Sequence, residues 1–240
     1  MNEFLAGAVL SRSIAVWIKN IIPFSILALV CHVPSFLFTY LALKGGLHMS
    51  LFAYTALSAV LSGLLSMIAQ STIVYGVFQE LRGRPAPLGE SISVGLGRIF
   101  GVLGTTIVVG LAVGVGFLML VVPGIIISTM LFVAVPAAVV EKVGGFEACS
   151  RSSSLTSGYR WKILGIAVVV ALASMAAGFI IQKIMAPSPG EMYSATSALV
   201  MVAFSALLTP FSATTAAVAY HDLRRTKEGV DIHQIASVFD

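Results

Sequence analysis

Residues 100–140 read FGVLGTTIVVGLAVGVGFLMLVVPGIIISTMLFVAVPAAVV and contain no Asp, Glu, Lys, Arg or His. A helix needs about 20 apolar residues to cross a bilayer, so this run is long enough to cross twice. Near its middle stands Val122-Pro123-Gly124. Pro fixes φ and Gly accepts a positive φ, which predicts a tight external turn there. Spans over 100–121 and 125–140 would then form an antiparallel hairpin.

The same apolar texture extends outward to four more stretches, 21–43, 51–78, 162–182 and 194–219. Hydrophobic residues make up 58% of the chain and charged ones 10%, with a mean hydropathy of +1.00. A soluble domain of this size carries about 25% charged residues to clothe its exterior. The composition therefore predicts an all-α, six-span membrane domain covering 1–240, with no room for a separate soluble domain. The basic residues fix its expected orientation. Arg12 and Lys19 precede the first span; Arg82, Arg84 and Arg98 fill the second gap. Lys142, Arg151, Arg160 and Lys162 lie around the fourth gap, and Arg224, Arg225 and Lys227 follow the last span. Only Lys44 and Lys183 of the 14 Lys and Arg fall in the alternate gaps. Short loops rich in Lys and Arg stay in the cytoplasm, so both termini are expected there. The pI of about 9.2 reflects this topology rather than a nucleic-acid surface, because the cations flank apolar helices instead of forming one patch. The first apolar run, Phe4–Leu10, is too short and too closely flanked by Glu3 and Arg12 to read as a cleavable signal. Cys31 lies within a span and Cys149 in a loop, which disfavours a disulfide or a metal site.

Finer features follow from spacing. Residues 3–19 predict an interfacial helix with Leu10, Ile14, Trp17 and Ile18 on its apolar side. Pro34 and Pro210 should kink the first and sixth spans. A short helix is expected from Leu88, and another from about Phe146 to Thr156, with Gly158 placed to end it. Short helices near Phe4, Leu88 and Phe146 each precede a membrane hairpin, a coarse threefold pattern. Gly110-xxx-Gly114 offers close packing in the third span, and Ala167, Ala171, Ser174 and Gly178 a small-residue face in the fifth. In the tail, 222–240, Gly229 should end a helix, and Ile232, Ile235 and Phe239 form a short apolar face that needs a dock.

Two polar groupings could carry function. Ser58, Ser62, Ser66 and Gln70 recur every four residues in the second span, as a helix-packing surface or as the wall of a polar path. Glu141, Glu147, Arg151, Ser152, Thr156 and Arg160 cluster in the fourth gap. An Arg among hydroxyls there could hold a lipid phosphate, or the loop could be structural, with Glu147 and Arg151 paired four residues apart. No HExxH, GxSxG, P-loop or paired-carboxylate arrangement occurs, and no Asp, Glu, Lys or Arg lies deep in a span. His32 is the one ionisable group placed within the bilayer, and reads as a neutral, hydrogen-bonded residue. No catalytic residue, cofactor or metal ligand is expected.

The segment PAAVVEKVGGFEACSRSSSLTSGYRWKIL, Pro136 to Leu164, resembles one that marks a group of bacterial six-helix membrane proteins. That group includes the membrane region fused to some glycerophosphodiester phosphodiesterases and the YciC-like inner-membrane proteins. The matching residues are Glu141, Gly144, Glu147-Ala148, Arg151-Ser152, Leu155-Thr156 and Gly158, with Ser153 where an aromatic is usual. Val122-Pro123-Gly124-Ile125 and Tyr220-His221-Asp222-Leu223-Arg224-Arg225, followed by Lys227-Glu228-Gly229 and Asp231, match as well. The resemblance implies the six-helix fold in a bacterial inner membrane; because the chain shows no phosphodiesterase domain, enzymatic activity is not implied. The expectation is a non-enzymatic protein organising membrane lipids, a membrane-protein partner or its own oligomer through helices on the cytoplasmic face. The alternative is a transporter or permeation path for a small neutral or lipidic solute.

The charge bias makes a direct prediction. Lys44→Cys and a cysteine near Pro189 label with an impermeant maleimide from the periplasmic side, and Arg84→Cys does not; the reverse pattern inverts the layout.

Overall fold

The structure, a computed structural model, describes residues 3–43, 50–84, 88–184 and 195–229. Among these residues it is all helical: α1 (Ala6–Lys19), α2 (Ile21–Leu43), α3 (Leu51–Leu81), α4 (Leu88–Gly97), α5 (Ile99–Met119), α6 (Val121–Met130), α7 (Ala134–Glu141), α8 (Gly145–Thr156), α9 (Arg160–Ile184) and α10 (Ala195–Glu228). Five segments are long and apolar enough to cross a membrane: Ile21–Ala42, Phe52–Leu81, Ile99–Met119, Val121–Glu141 and Arg160–Lys183. The chain is thus an α-helical, multi-pass membrane protein. The expected short helices are present as α1, α4 and α8, each ahead of a pair of long segments. The first external turn, at Gly45-Gly46, and the tail beyond Gly229 lie outside the described residues. Gly229 itself has φ +66° and ends α10 as expected.

Proline explains three helix boundaries. Pro23, Pro123 and Pro136 each occupy the third residue of a helix, after breaks at Asn20, Leu120 and Val133. An N–H at that position has no partner in any helix, so proline costs nothing there. This corrects the expected turn. The chain reverses at Leu120, extended at φ −167° and ψ 157°, and Val122-Pro123-Gly124 are already helical. Gly124 has no positive φ; it is small because a Cβ there would stand 2.5 Å from the Phe117 ring, and Gly116 is small because its Cβ would stand 3.0 Å from Gly124 Cα. The expected hairpin forms at this close contact.

The fourth span, expected as one helix over 125–140, is two helices with a turn at Leu131–Val133. Ala134 N–H bonds the Leu131 carbonyl at 3.0 Å instead of the Met130 carbonyl that a continuous helix would use. Pro136 also lacks the N–H that would take up the Phe132 carbonyl. The freed Met130 oxygen accepts from Ser152 Oγ at 2.8 Å and Thr156 Oγ1 at 3.2 Å. Helix α8 is thereby drawn into the bundle, with Ala148, Cys149, Ser152, Leu155 and Thr156 buried.

The core gathers at the end where the basic residues lie. Tyr75, Phe78, Val139, Val140, Leu155, Tyr220 and Leu223 are buried there, and Phe78 meets Tyr220 edge-on at 6.0 Å. Ion pairs and hydrogen bonds tie the helix ends together: Arg12 to Asp222 at 2.5 Å, Lys19 to Glu80 at 2.5 Å, and Lys162 Nζ to the Phe4 carbonyl at 2.9 Å. Helix α4 is fastened to α3 by Tyr75 donating to Glu90 and by Ser71 Oγ donating to the Gly95 carbonyl at 3.3 Å.

Several expected packing faces are elsewhere. Helix α1 buries Val9, Ser13 and Val16 and packs Leu10 and Trp17 against the core, while Ile14 and Ile18 are 43% and 57% exposed. It leans on α10, with Trp17 and Phe211 rings 5.4 Å apart; the two isoleucines face outward because that contact uses the other side. Gly110 and Gly114 meet nothing within 4 Å. The close approach instead uses Gly101 and Gly144, since α5 meets the α7–α8 junction. Helix α9 packs through Ile163, Ile166 and Val170 rather than its small residues; Ala171 is exposed and Gly178 meets nothing within 4 Å.

A Cβ on Gly144 would stand 2.9 Å from Gly101 Cα, whereas Gly110 faces open space. Gly144→Ala therefore lowers the melting temperature in detergent, and Gly110→Ala leaves it unchanged or raises it, through a gain of at most the ~1 kcal/mol helix preference of Ala over Gly.

Candidate functional site

The residues expected at the fourth gap separate into two groups. Glu141, the last residue of α7, forms the hub of the first. Arg151 Nε reaches Glu141 Oε1 and Oε2 at 2.7 and 2.8 Å, and Tyr220 donates to Oε1 at 2.7 Å. Arg151 Nη2 also meets Glu228 Oε1 at 2.5 Å. Arg224 closes the ring, with Nε on Glu228 Oε2 at 2.8 Å and Nη1 on the Tyr220 hydroxyl at 3.2 Å. Two arginines face two glutamates, so the cluster has no charge to offer a lipid phosphate. Burial alone would lower the Arg151 pKa, but Glu141 and Glu228 raise it above its ordinary value. Burial, and then the bond to Glu141, pushes the Tyr220 hydroxyl well above the usual tyrosine range.

Two further expectations fail here. Arg151 does not pair with Glu147, which is exposed, because Glu141 and Glu228 already hold the guanidinium. Ser152 and Thr156 are fully buried against the Met130 carbonyl and present no hydroxyl outward. The group is structural. The sequence reading missed Tyr220, Arg224 and Glu228 as its members, although the Tyr-His-Asp-Leu-Arg-Arg motif had marked their neighbourhood. Pairing residues some 80 positions apart leaves no trace in spacing.

Arg160 behaves differently. It is exposed and has no hydrogen bond or ion pair among the described residues. With Trp161 it borders a groove of about 490 Å³ between α6 and α9, lined further by Val122, Ile125, Ile126, Thr129 and Leu164. Lys227 lies near it, bonded to the Ser154 carbonyl at 2.5 Å. Burial and the Arg160 charge together hold the Lys227 ammonium below the usual lysine range. Trp161 is 84% exposed, as are Phe100 at 84% and Phe146 at 80%. All three aromatics begin helices at the basic end.

The Ser58–Gln70 stripe is not one wall. Ser58 Oγ bonds the Thr55 carbonyl in its own helix at 3.0 Å. Ser62 Oγ lies 3.2 Å from Ser35 Oγ on α2, the helix-packing use of a hydroxyl. Ser66 is half-buried. Gln70 lines a cavity, in the company of Ser174, Thr209 and Ser212. His32 Nδ1 lies 2.8 Å from the Ala28 carbonyl one turn back, so its polar atom is served by its own helix.

Residues 25–223 match a protein family described as a domain of unknown function, DUF7847. No curated protein and no solved structure matches the chain.

The glutamate–arginine ring makes two predictions. Arg151→Ala leaves Glu141 and Glu228 facing each other half-buried and costs roughly 1–3 kcal/mol of stability, while Glu147→Ala is near neutral in the same thermal melt. Burial alone would raise the Glu228 pKa, but Arg224 and Arg151 hold it below the ordinary value. Its stabilisation is complete above the ordinary glutamate pKa of about 4.3 and is lost as pH falls through the lowered one. Glu228→Gln flattens that acid limb in melts taken against pH.

Proposed function

Because the chain belongs to the DUF7847 family, whose function is unknown, its activity has to be read from its own site, and we propose a non-enzymatic, lipid-organising protein of the bacterial inner membrane. In this reading α10 is the sixth crossing, both termini are cytoplasmic, and the basic end is the cytoplasmic end. The positive-inside bias supports that orientation. The exposed Phe100, Phe146 and Trp161 support the level of the interface, where aromatic side chains collect. The likeness of Pro136–Leu164 and Tyr220–Arg225 to the YciC-like proteins and the phosphodiesterase-linked membrane regions points the same way.

The observation that carries the lipid reading is Arg160. Arg151, the other arginine of the predicted cluster, is neutralised within the fold, whereas Arg160, without a partner among the described residues, stands at the mouth of an apolar groove. An anionic phospholipid satisfies both parts. Its phosphate takes the Arg160 guanidinium and relieves the repulsion from Lys227, through charge-assisted hydrogen bonds. Its first acyl chain lies along Val122, Ile125, Ile126 and Leu164, with Trp161 at the head-group level. No proton transfer or bond cleavage is assigned to this groove.

A ligand that binds only the folded state stabilises it, by about 2.7 kcal/mol at a hundred times its dissociation constant. Phosphatidylglycerol added to the detergent-purified protein should therefore raise the melting temperature more than phosphatidylcholine does. Arg160→Ala should abolish the difference, and Glu147→Ala should keep it. Equal shifts from the two lipids, or a difference that survives Arg160→Ala, would overturn the assignment.

A further inference from the structure

A second site lies deeper. Gln70 of α3, Ser174 of α9, and Thr209 and Ser212 of α10 converge on a cavity of about 350 Å³, completed by Phe204, Leu208 and Ala213. Gln70 stands eleven residues before the end of α3, about 16 Å along its axis at 1.5 Å per residue, within the segment long and apolar enough to cross a membrane. None of the four polar side chains makes a hydrogen bond among the described residues. That sets them apart from Ser58, Ser62, Thr105, Ser152 and Thr215, each of which is served by a carbonyl or a hydroxyl. Polar groups left unpaired at membrane depth are costly, and side chains kept there at that cost usually serve a ligand.

No charged residue lines the cavity, so a ligand bearing a net charge would lose its hydration with no counter-ion in return. Three hydroxyls and one carboxamide instead supply both donors and acceptors, the complement of a hydroxyl-bearing, uncharged group. Phe204, Leu208 and Ala213 give the remaining wall an apolar surface. Beyond Val170, α9 is largely exposed, with Leu172 and Met175 on either side of Ser174 facing outward. Leu207 on α10 is exposed in the same way. The cavity therefore lies between two helices that both face the hydrocarbon, open to a molecule arriving from within the bilayer. We infer that it holds the head of an uncharged, hydroxyl-bearing lipid of the diacylglycerol class, with the acyl chains left among the bilayer tails. This site shares no residue with the Arg160 groove and selects the opposite charge class.

The test uses the full chain in phosphatidylcholine nanodiscs with a diacylglycerol carrying a photoreactive diazirine beside its glycerol, and a matched phosphatidylcholine probe as control. The diacylglycerol probe should label peptides of α9 and α10 several-fold above the control. Gln70→Leu and Ser174→Leu should each reduce that labelling about five-fold, the equivalent of one lost hydrogen bond of ~1 kcal/mol. Ser174 lies on the sparsely packed part of α9, so its variant folds even where Gln70→Leu does not, and a thermal melt of each confirms folding. Arg160→Ala should leave the labelling unchanged, which separates a failure of this site from a failure of the groove. Equal labelling by the two probes, as expected of a cavity holding only water, or labelling indifferent to Ser174→Leu, would overturn the inference.

Discussion

The Met130 carbonyl is the constraint around which the bundle is arranged. Its helix stops one turn short of continuity, leaving an oxygen without its N–H in an apolar segment where water cannot replace it. Ser152 and Thr156, one turn apart on α8, supply the missing donors. To do so α8 must lie against the broken span rather than float on the surface. Once α8 is there, Gly144 must meet Gly101, Leu155 must enter the core, and Arg151 must face the end of α7. A single unsatisfied backbone atom thus decides where twelve residues of helix are placed.

The Glu141 ring then determines what is left for function. Charged side chains at the basic end divide between those that neutralise one another and those that do not. Arg151 and Arg224 are consumed by Glu141 and Glu228, while Arg160, a few residues further on, is left over. The sequence groups Arg151 and Arg160 in one loop, and only the fold separates the arginine held by glutamates from the one that borders the groove. The two proposed sites also differ in kind: one offers a charge at the interface, the other offers only hydroxyls and an amide at depth.

Much of the fold was legible because the bilayer forces the pattern. Long charge-free runs separated by basic loops define the crossings, and the short helices near Phe4, Leu88 and Phe146 appear where expected. Gly158 and Gly229, with φ of +84° and +66°, follow α8 and α10 as their sequence positions suggested. The interior was harder. Pro136 carried the signal for the broken span, as Pro123 did for the reversal at Leu120. In both, the boundary lies three residues before the proline, not at it, and the Pro-Gly pair drew attention to the wrong place. Gly110 and Gly114 matched a packing motif, yet which face of α5 meets a neighbour depends on where α7 and α8 sit. The cavity was legible in one residue of four, since Ser174, Thr209 and Ser212 are brought beside Gln70 only by tertiary packing.

The contacts of α10 carry a consequence for biosynthesis. Helix α10 packs against α1, α2 and α3, elements made well before it, and its residues Asp222 and Glu228 close ion pairs begun by Arg12 and Arg151. More than a hundred residues separate the end of α3 from the start of α10. At roughly 5–20 residues per second, the ribosome needs on the order of ten seconds to cover them. During that interval the opening hairpin sits in the bilayer with its final neighbour missing and Arg12 without its carboxylate. A nascent protein truncated before residue 195 therefore lacks both the helix that seals α1–α3 and the Tyr220, Arg224 and Glu228 members of its charged ring.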